Sequence, residues 1–193
     1  MRSRLSRLCV LALLGLSACQ QDSAQAPIGQ TIQAPSVAVY FSPKGGCTDA
    51  VVKEIAAARS TILVQAYSFT SAPIAKAIVE AHKRGVDVQV VLDRSNRTEK
   101  YSSADFVVHM GIPVRIDAQH AIAHNKIMVI DGQTIITGSF NFTRQAEEKN
   151  AENLLVIRDT SLAQKYAENW KAHAAHSQPY QPKEKGYSEN AHR

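Results

Sequence analysis

Residues 124–141 read HNKIMVIDGQTIITGSFN. Two apolar runs, KIMVI (126–130) and TIIT (134–137), flank Asp131-Gly132, a pair that favours the positive φ angles of a tight turn. The stretch therefore predicts a β-hairpin. Side chains two apart on a strand share a face, so His124 and Lys126 project together, and Ser139 and Asn141 share parity at the end of the returning strand. A hairpin places the start of its first strand beside the end of its second. An imidazole, an ammonium, a hydroxyl and an amide gathered at one end of a sheet suit an anion under attack. The imidazole would serve as nucleophile or acid, and the others would hold oxygens that carry negative charge. Asp131 has the wrong parity to point with His124 and sits at the turn, which gives it a mainly structural role.

Outward from the hairpin, strand-like and helix-like segments alternate. A strand over 37–41 precedes a helix over about 49–59, and TILVQAYSF (61–69) is a β-branched and aromatic run. The next helix has Ser71 at its N-cap position, Pro73 in its first turn, an apolar face of Ile74, Ile78 and Val79, and Gly85 as its stop. VDVQVVL (86–92) is a strand, SSADFVVHM (102–110) a short helix, and 114–116 a short strand. Leu162, Tyr166 and Trp170 recur every four residues, as the packed face of a C-terminal helix does, rather than forming a base-stacking platform. This alternation predicts an α/β fold, a mixed, mostly parallel β-sheet flanked by helices on both faces.

The chain has 193 residues, 45% hydrophobic and 20% charged, an ordinary globular composition that fits one domain. Its N-terminus differs. Three arginines precede an apolar run over 8–16, too short to span a bilayer but suited to a signal segment. Leu16-Ser17-Ala18-Cys19 resembles the lipobox of bacterial lipoproteins, which implies cleavage before Cys19 and acylation of that cysteine. The expected organisation is a lipoprotein signal peptide over 1–18, a lipidated cysteine and tether over 19–36, a catalytic domain over 37–175, and a polar tail over 176–193. By the same resemblance to lipoproteins, Gln20 rather than aspartate after the cysteine implies outer-membrane sorting, with the protein on the periplasmic side of the envelope. Removal of Arg2, Arg4 and Arg7 lowers the formal charge from +5 to +2, so global charge argues little about nucleic acid. Cys47 is then the one cysteine unclaimed by cleavage or lipid, and is expected to be buried or idle.

The pattern His-x-Lys-x4-Asp-x6-Gly-Ser-x-Asn, met without a gap by His124, Lys126, Asp131, Gly138, Ser139 and Asn141, resembles the signature of the phospholipase D superfamily. YFSPKGG (40–46), AYSFTSAPIAKAI (66–78), KRGVDVQVVLD (83–93), GSFNFT (138–143) and KNAENLLVI (149–157) are similar to the small bacterial periplasmic endonucleases of that superfamily. The resemblance implies a phosphodiesterase whose catalytic set is His124, Lys126, Asp131, Ser139, Asn141 and Glu152. One histidine attacks phosphorus, and a second protonates the leaving oxygen and then activates water. Glu152 is the family acid that orients the histidine, Lys126 and Asn141 bind non-bridging oxygens, and the reaction uses no metal or other cofactor. The chain holds one such motif, so a second copy must supply the other histidine, which implies a homodimer.

Arg94, Arg97 and Lys100 lie in a basic loop after the strand ending at Leu92, and Arg94 and Arg97 are candidates for phosphate-backbone contact. His120, His173 and His176 could ligate a metal, but without cysteine or paired acids nearby they read as loop and helix-surface residues. The expected activity is sequence-nonspecific cleavage of DNA, and the sequence leaves activity on RNA open. A lipid phosphodiesterase is the alternative, since the chemistry is the same and an anchor would hold the enzyme at a membrane. A non-catalytic nucleic-acid-binding protein is the third reading, which the intact motif disfavours.

Overall fold

The computed structural model describes residues 35–100 and 102–182. The expected signal peptide, Cys19 and nearly all of the tether lie outside those residues, as does the end of the expected tail. The described residues form one compact unit. Its elements in chain order are β1 (Ser36–Ser42), α1 (Cys47–Ala57), β2 (Thr61–Ala66), α2 (Ala72–Lys83), β3 (Asp87–Asp93), a 3₁₀ turn (Arg94–Arg97), α3 (Ala104–His109), β4 (Val114–Asp117), β5 (Lys126–Ile130), β6 (Thr134–Gly138), α4 (Arg144–Glu148), β7 (Glu152–Arg158), α5 (Thr160–His176) and the two-residue β8 (Gln178–Pro179).

One mixed sheet runs in the order β1-β7-β6-β5-β2-β3-β4-β8. It is α/β as expected, but not mostly parallel. Among the described residues only β2 with β3 and β3 with β4 pair in parallel, while β1, β5, β6, β7 and β8 pair antiparallel with their neighbours. The reason is the connections. Helix-bearing crossovers after β2 and β3 return the chain to the same sheet end, whereas a short turn joins β5 to β6.

Helices cover both faces. On one, Val51 and Ile55 of α1 and Ile74 and Ile78 of α2 pack in a cluster with Met128, Ile130, Ile136, Leu154 and Val156 of the sheet. On the other, Ala163, Leu162 and Tyr166 of α5 pack against Val129 and Ile135. Trp170 is buried too, and its Nε1–H donates to the Val64 carbonyl at 2.8 Å, which satisfies the indole's polar atom inside the apolar layer. The four-residue spacing in this helix is therefore core packing.

The hairpin turn is as the sequence predicts. Asp131 and Gly132 have φ of 52° and 64°, and Gln133 N–H donates to Ile130 O at 3.1 Å. A positive φ is unusual for aspartate, and four hydrogen bonds hold it. Its carboxylate accepts from Arg59 N–H at 3.0 Å, Ser60 N–H and Ser60 Oγ–H at 2.8 Å each, and Thr61 N–H at 3.0 Å. These bonds fasten the hairpin tip to the start of β2.

The polar C-terminus continues the fold further than its composition suggests. α5 runs to His176, Ser177 is buried, β8 pairs with β4, and buried Tyr180 donates its hydroxyl to Asp105 Oδ1 at 2.9 Å. A tail beginning at 176 is thus corrected through residue 180. One buried aromatic with a satisfied hydroxyl outweighs the local Pro and Gln signals.

Candidate active site

The register of the sheet assembles the site. Ala66 of β2 pairs with Lys126 at the start of β5, and Ser42 of β1 with Glu152 at the start of β7. Gly138, at the end of β6, pairs with Leu154. The ends of three strands therefore meet in a small cleft of about 360 Å³ lined by His124, Lys126, Gly138, Ser139, Asn141 and Glu152. Gly138 has φ of 139°, and a Cβ there would lie 2.3 Å from the Asn153 carbonyl oxygen, so no other residue fits without moving β7.

Each side chain has a distinct environment. His124 is exposed, with its ring centroid 4.7 Å from that of Tyr67 and tilted by 57°. Lys126 is buried; its Nζ donates to the His124 carbonyl at 2.9 Å and lies 5.1 Å from the Tyr67 ring centroid. Burial holds the Lys126 ammonium below its ordinary value, and the Glu152 charge offsets only part of that. Ser139 is tied to β7 twice, its Oγ accepting from Asn153 N–H at 3.0 Å and its N–H donating to Asn153 O at 3.1 Å. Glu152 Oε1 accepts from Asn150 Nδ2–H at 3.0 Å. Asn141 Oδ1 is buried without a hydrogen-bond partner, and a turn of the amide would instead offer its NH₂ to a ligand in the cleft.

This arrangement provides an accessible imidazole beside a desolvated ammonium, a carboxylate and an amide with unused capacity. It can hold a tetrahedral oxyanion and present nitrogen to its centre. The family described as "Cardiolipin synthase, PLD-like domain" matches residues 51–174, most of the folded unit. The chain belongs to the phospholipase D superfamily.

Two relatives and one crystal structure set this superfamily member in context. It is 43% identical over 134 residues to a Rickettsia felis protein named phospholipase D, covering 69% of this chain and 67% of that one. A mouse protein named mitochondrial cardiolipin hydrolase is 32% identical over 120 residues, covering 62% of this chain and 54% of its own. The crystal structure of Nuc from Salmonella typhimurium, a phospholipase D family member, superposes with a TM-score of 0.73 at 41% identity, covering 76% of this chain and 99% of that one. With the cleft chemistry, these likenesses make the superfamily member a phosphodiester hydrolase.

The sequence-derived residues do not all gather there. Asp131 stands at the opposite end of β5 from Lys126 and does not line the cleft. Arg94 and Arg97 do not line it either: Arg94 Nη2–H donates to Ala121 O at 2.8 Å and Arg97 Nη2–H to Gln178 Oε1 at 3.2 Å. Tyr67 was not singled out from sequence. Its contact with His124 and Lys126 depends on β2 pairing with β5, and the only local trace is an aromatic just after a strand. Cys47 is fully buried, and burial together with the charge of Glu147 pushes its thiol up to about 11, where it is unreactive.

Reading His120, His173 and His176 as separate surface residues is corrected. They converge on Asp117, which is fully buried at the end of β4. The likeness of residues 117–120 and 173–176, each with ligand-type side chains three apart, was the available signal.

Proposed function

We propose that this hydrolase is a sequence-nonspecific endonuclease that cleaves DNA through a covalent phosphohistidine on His124 in a site shared across a homodimer. The observation that carries the substrate reading is the cleft itself. None of its lining residues is a large apolar side chain, and it offers charge and hydrogen bonds to a phosphate. The similarity to Nuc along nearly all of that chain supports the same reading, as does the motif's resemblance to small bacterial endonucleases.

In the first step a His124 imidazole nitrogen attacks phosphorus and the bond to the leaving oxygen breaks, while the partner chain's copy of His124 gives that oxygen a proton. In the second, the same partner residue takes a proton from water, the hydroxide attacks phosphorus, and the phosphorus–nitrogen bond breaks. Lys126 and Asn141 hold the non-bridging oxygens throughout. One histidine must start neutral and the other protonated, so kcat/KM should trace a bell against pH.

Two observations support the dimer. The cleft contains one histidine where the chemistry needs two. On the edge strand β1, Val37, Val39 and Phe41 are 60%, 49% and 66% exposed, and Phe41 pairs with Asn153, which is bonded to Ser139. An apolar strip on an unpaired edge, reaching the site, suits a two-fold contact.

The name of the Rickettsia relative keeps a lipid phosphodiesterase as the second reading. Purified protein offered plasmid DNA and phosphatidylcholine vesicles side by side should nick and degrade the plasmid and leave the lipid intact, with excess EDTA present throughout. Lipid hydrolysis without DNA cleavage would reverse the assignment. Complete loss of activity on chelation at a temperature where the stripped protein stays folded, restored by a divalent ion, would remove the phosphohistidine mechanism.

We also propose that residues 1–18 direct export and that Cys19 carries a lipid anchor to the periplasmic face of the outer membrane, on the strength of the lipobox-like 16–19 segment. Cys19→Ser should move the protein out of the membrane fraction or leave an uncleaved precursor. Unchanged fractionation with unchanged mass would refute it.

A further inference from the structure

Away from the cleft, three histidines and one aspartate from separate parts of the chain meet at a point. Asp117 ends β4, His120 lies in the loop that leads from β4 to His124, and His173 and His176 occupy the last turn of α5. Asp117 Oδ2 lies 2.9 Å from His120 Nδ1, 2.7 Å from His173 Nδ1 and 3.2 Å from His176 Nε2. One ligand atom from each of the four residues can be chosen so that all lie within 4.8 Å of one another. We propose that Asp117, His120, His173 and His176 form a structural binding site for a divalent transition metal, with zinc as the favoured ion.

The ligand chemistry selects the ion. Three imidazoles and one carboxylate are borderline donors that suit zinc, whereas calcium and magnesium require mostly oxygen. The spacing of the rings is already close to that of a bound state. Three imidazoles on one tetrahedral zinc, with bonds of about 2.0–2.1 Å, have ring centroids roughly 5 Å apart. Here the centroids are 4.8 Å apart for His120 and His173, 5.3 Å for His120 and His176, and 5.5 Å for His173 and His176.

The carboxylate is crowded in a way that hydrogen bonding alone does not use well. Oδ2 has two lone pairs and faces three imidazole nitrogens, while Oδ1 already accepts from Gln119 N–H at 3.1 Å. A single cation among the four groups would satisfy all of them at once. The end of α5 also favours positive charge, because unpaired carbonyls accumulate there. Asp117 is wholly buried, while the side chains of His120, His173 and His176 are 46%, 16% and 28% exposed, so the site has a floor in the protein and an entry from solvent.

Four protein ligands close a tetrahedron and leave no open position, which makes this a clip rather than a second catalytic centre. The clip joins α5 to the β4–β5 loop. That loop is already fixed by Asp93 Oδ2 accepting from Ala123 N–H at 2.8 Å, and it delivers His124 to the cleft. No residue of the cluster lines the cleft, so the site is independent of the nuclease reading and compatible with chemistry that uses no metal.

The test uses the full chain without a histidine tag, stripped with chelator and then given Zn²⁺ alone. One zinc per chain should survive gel filtration. At a hundredfold excess over its dissociation constant, zinc should raise Tm by about 5–10 °C, given its binding to the folded state only. Asp117 is buried and its replacement risks misfolding, so the exposed ligands carry the test. His120→Ala and His176→Ala should fold, and each should weaken zinc by at least about tenfold, since even groups that only support metal ligands cost 10–100-fold. His124→Asn should retain one zinc per chain. Failure to retain zinc, equal affinity in both alanine variants and wild type, or loss of zinc in His124→Asn would each overturn the proposal. None of these readouts depends on hydrolysis, so a failure here leaves the endonuclease reading standing, and the reverse holds too.

Discussion

His124→Ala should lower the rate of phosphodiester hydrolysis by roughly 10⁴ to 10⁶, the loss expected when a catalytic unit loses its nucleophile. In a site shared by two chains the single substitution deletes nucleophile and acid together, because both copies change. The fold should be untouched. His124 is exposed at the approach to β5 and contacts Tyr67 at its ring, so its removal opens no core cavity. Equal Tm with lost kcat is therefore the expected pair of results, and a large Tm drop would place His124 in the fold instead of the chemistry.

Asp131→Ala should do the opposite, unfolding the protein by about 2–4 kcal/mol while leaving kcat near wild type at temperatures below Tm. Its carboxylate accepts four hydrogen bonds from Arg59, Ser60 and Thr61. Bonds to a charged acceptor contribute about 1.5–3 kcal/mol each, less what water recovers at this partly exposed turn. The corresponding Tm change is about 5–15 °C for a chain of this size. Asp131→Asn should cost less, since asparagine tolerates the positive φ but turns an NH₂ toward some of those donors.

The pH dependence of that difference has a definite sign. Burial opposes ionisation of Asp131, but the hydrogen bonds from Thr61, Ser60 and Arg59 outweigh it and hold the carboxyl below its ordinary value. A carboxyl depressed in the folded state stabilises fully above its unfolded value of about 3.9, and that contribution is lost as pH falls through the folded value. Wild type and Asp131→Ala should therefore differ most at neutral pH and converge in acid. A fall in kcat at unchanged Tm would instead return Asp131 to the catalytic machinery.

These two aspects of one motif show where the sequence was legible. His124, Lys126, Ser139 and Asn141 lie on two adjacent strands joined by one turn, so period-two geometry brings them together without knowledge of the rest of the fold. Parity also separated Asp131 from them. Glu152 needed the family pattern, because it reaches the cleft through the pairing of β6 with β7. Tyr67 was invisible for a similar reason: nothing local says that the residue after Ala66 will face Lys126.

Other misses share that cause. Alternation of strands and helices does not carry strand order, so the parallel core of β2, β3 and β4 was extended to strands that pair antiparallel. Arg94 and Arg97 are cationic in any reading, but only the fold shows their hydrogen bonds to Ala121 and Gln178. The Asp117 cluster joins residues up to 59 positions apart, each ordinary in its own neighbourhood. Glu147 likewise caps α1 from a distant helix, accepting from Gly46 N–H at 3.1 Å and Thr48 N–H at 2.7 Å.

One active site built from two copies of His124 is the core of the mechanism, and subunit mixing measures that directly. Inactive His124→Asn chains are refolded with wild-type chains, exchange is verified by mass, and plasmid cleavage is expressed per wild-type chain. With random pairing in equal amounts about one dimer in four is fully wild type, so activity per wild-type chain should fall to about half. With a ninefold excess of mutant it should fall to about one tenth. Activity that stays strictly proportional to the number of wild-type chains at both ratios would mean that each chain carries a complete site, and would contradict the shared-site mechanism.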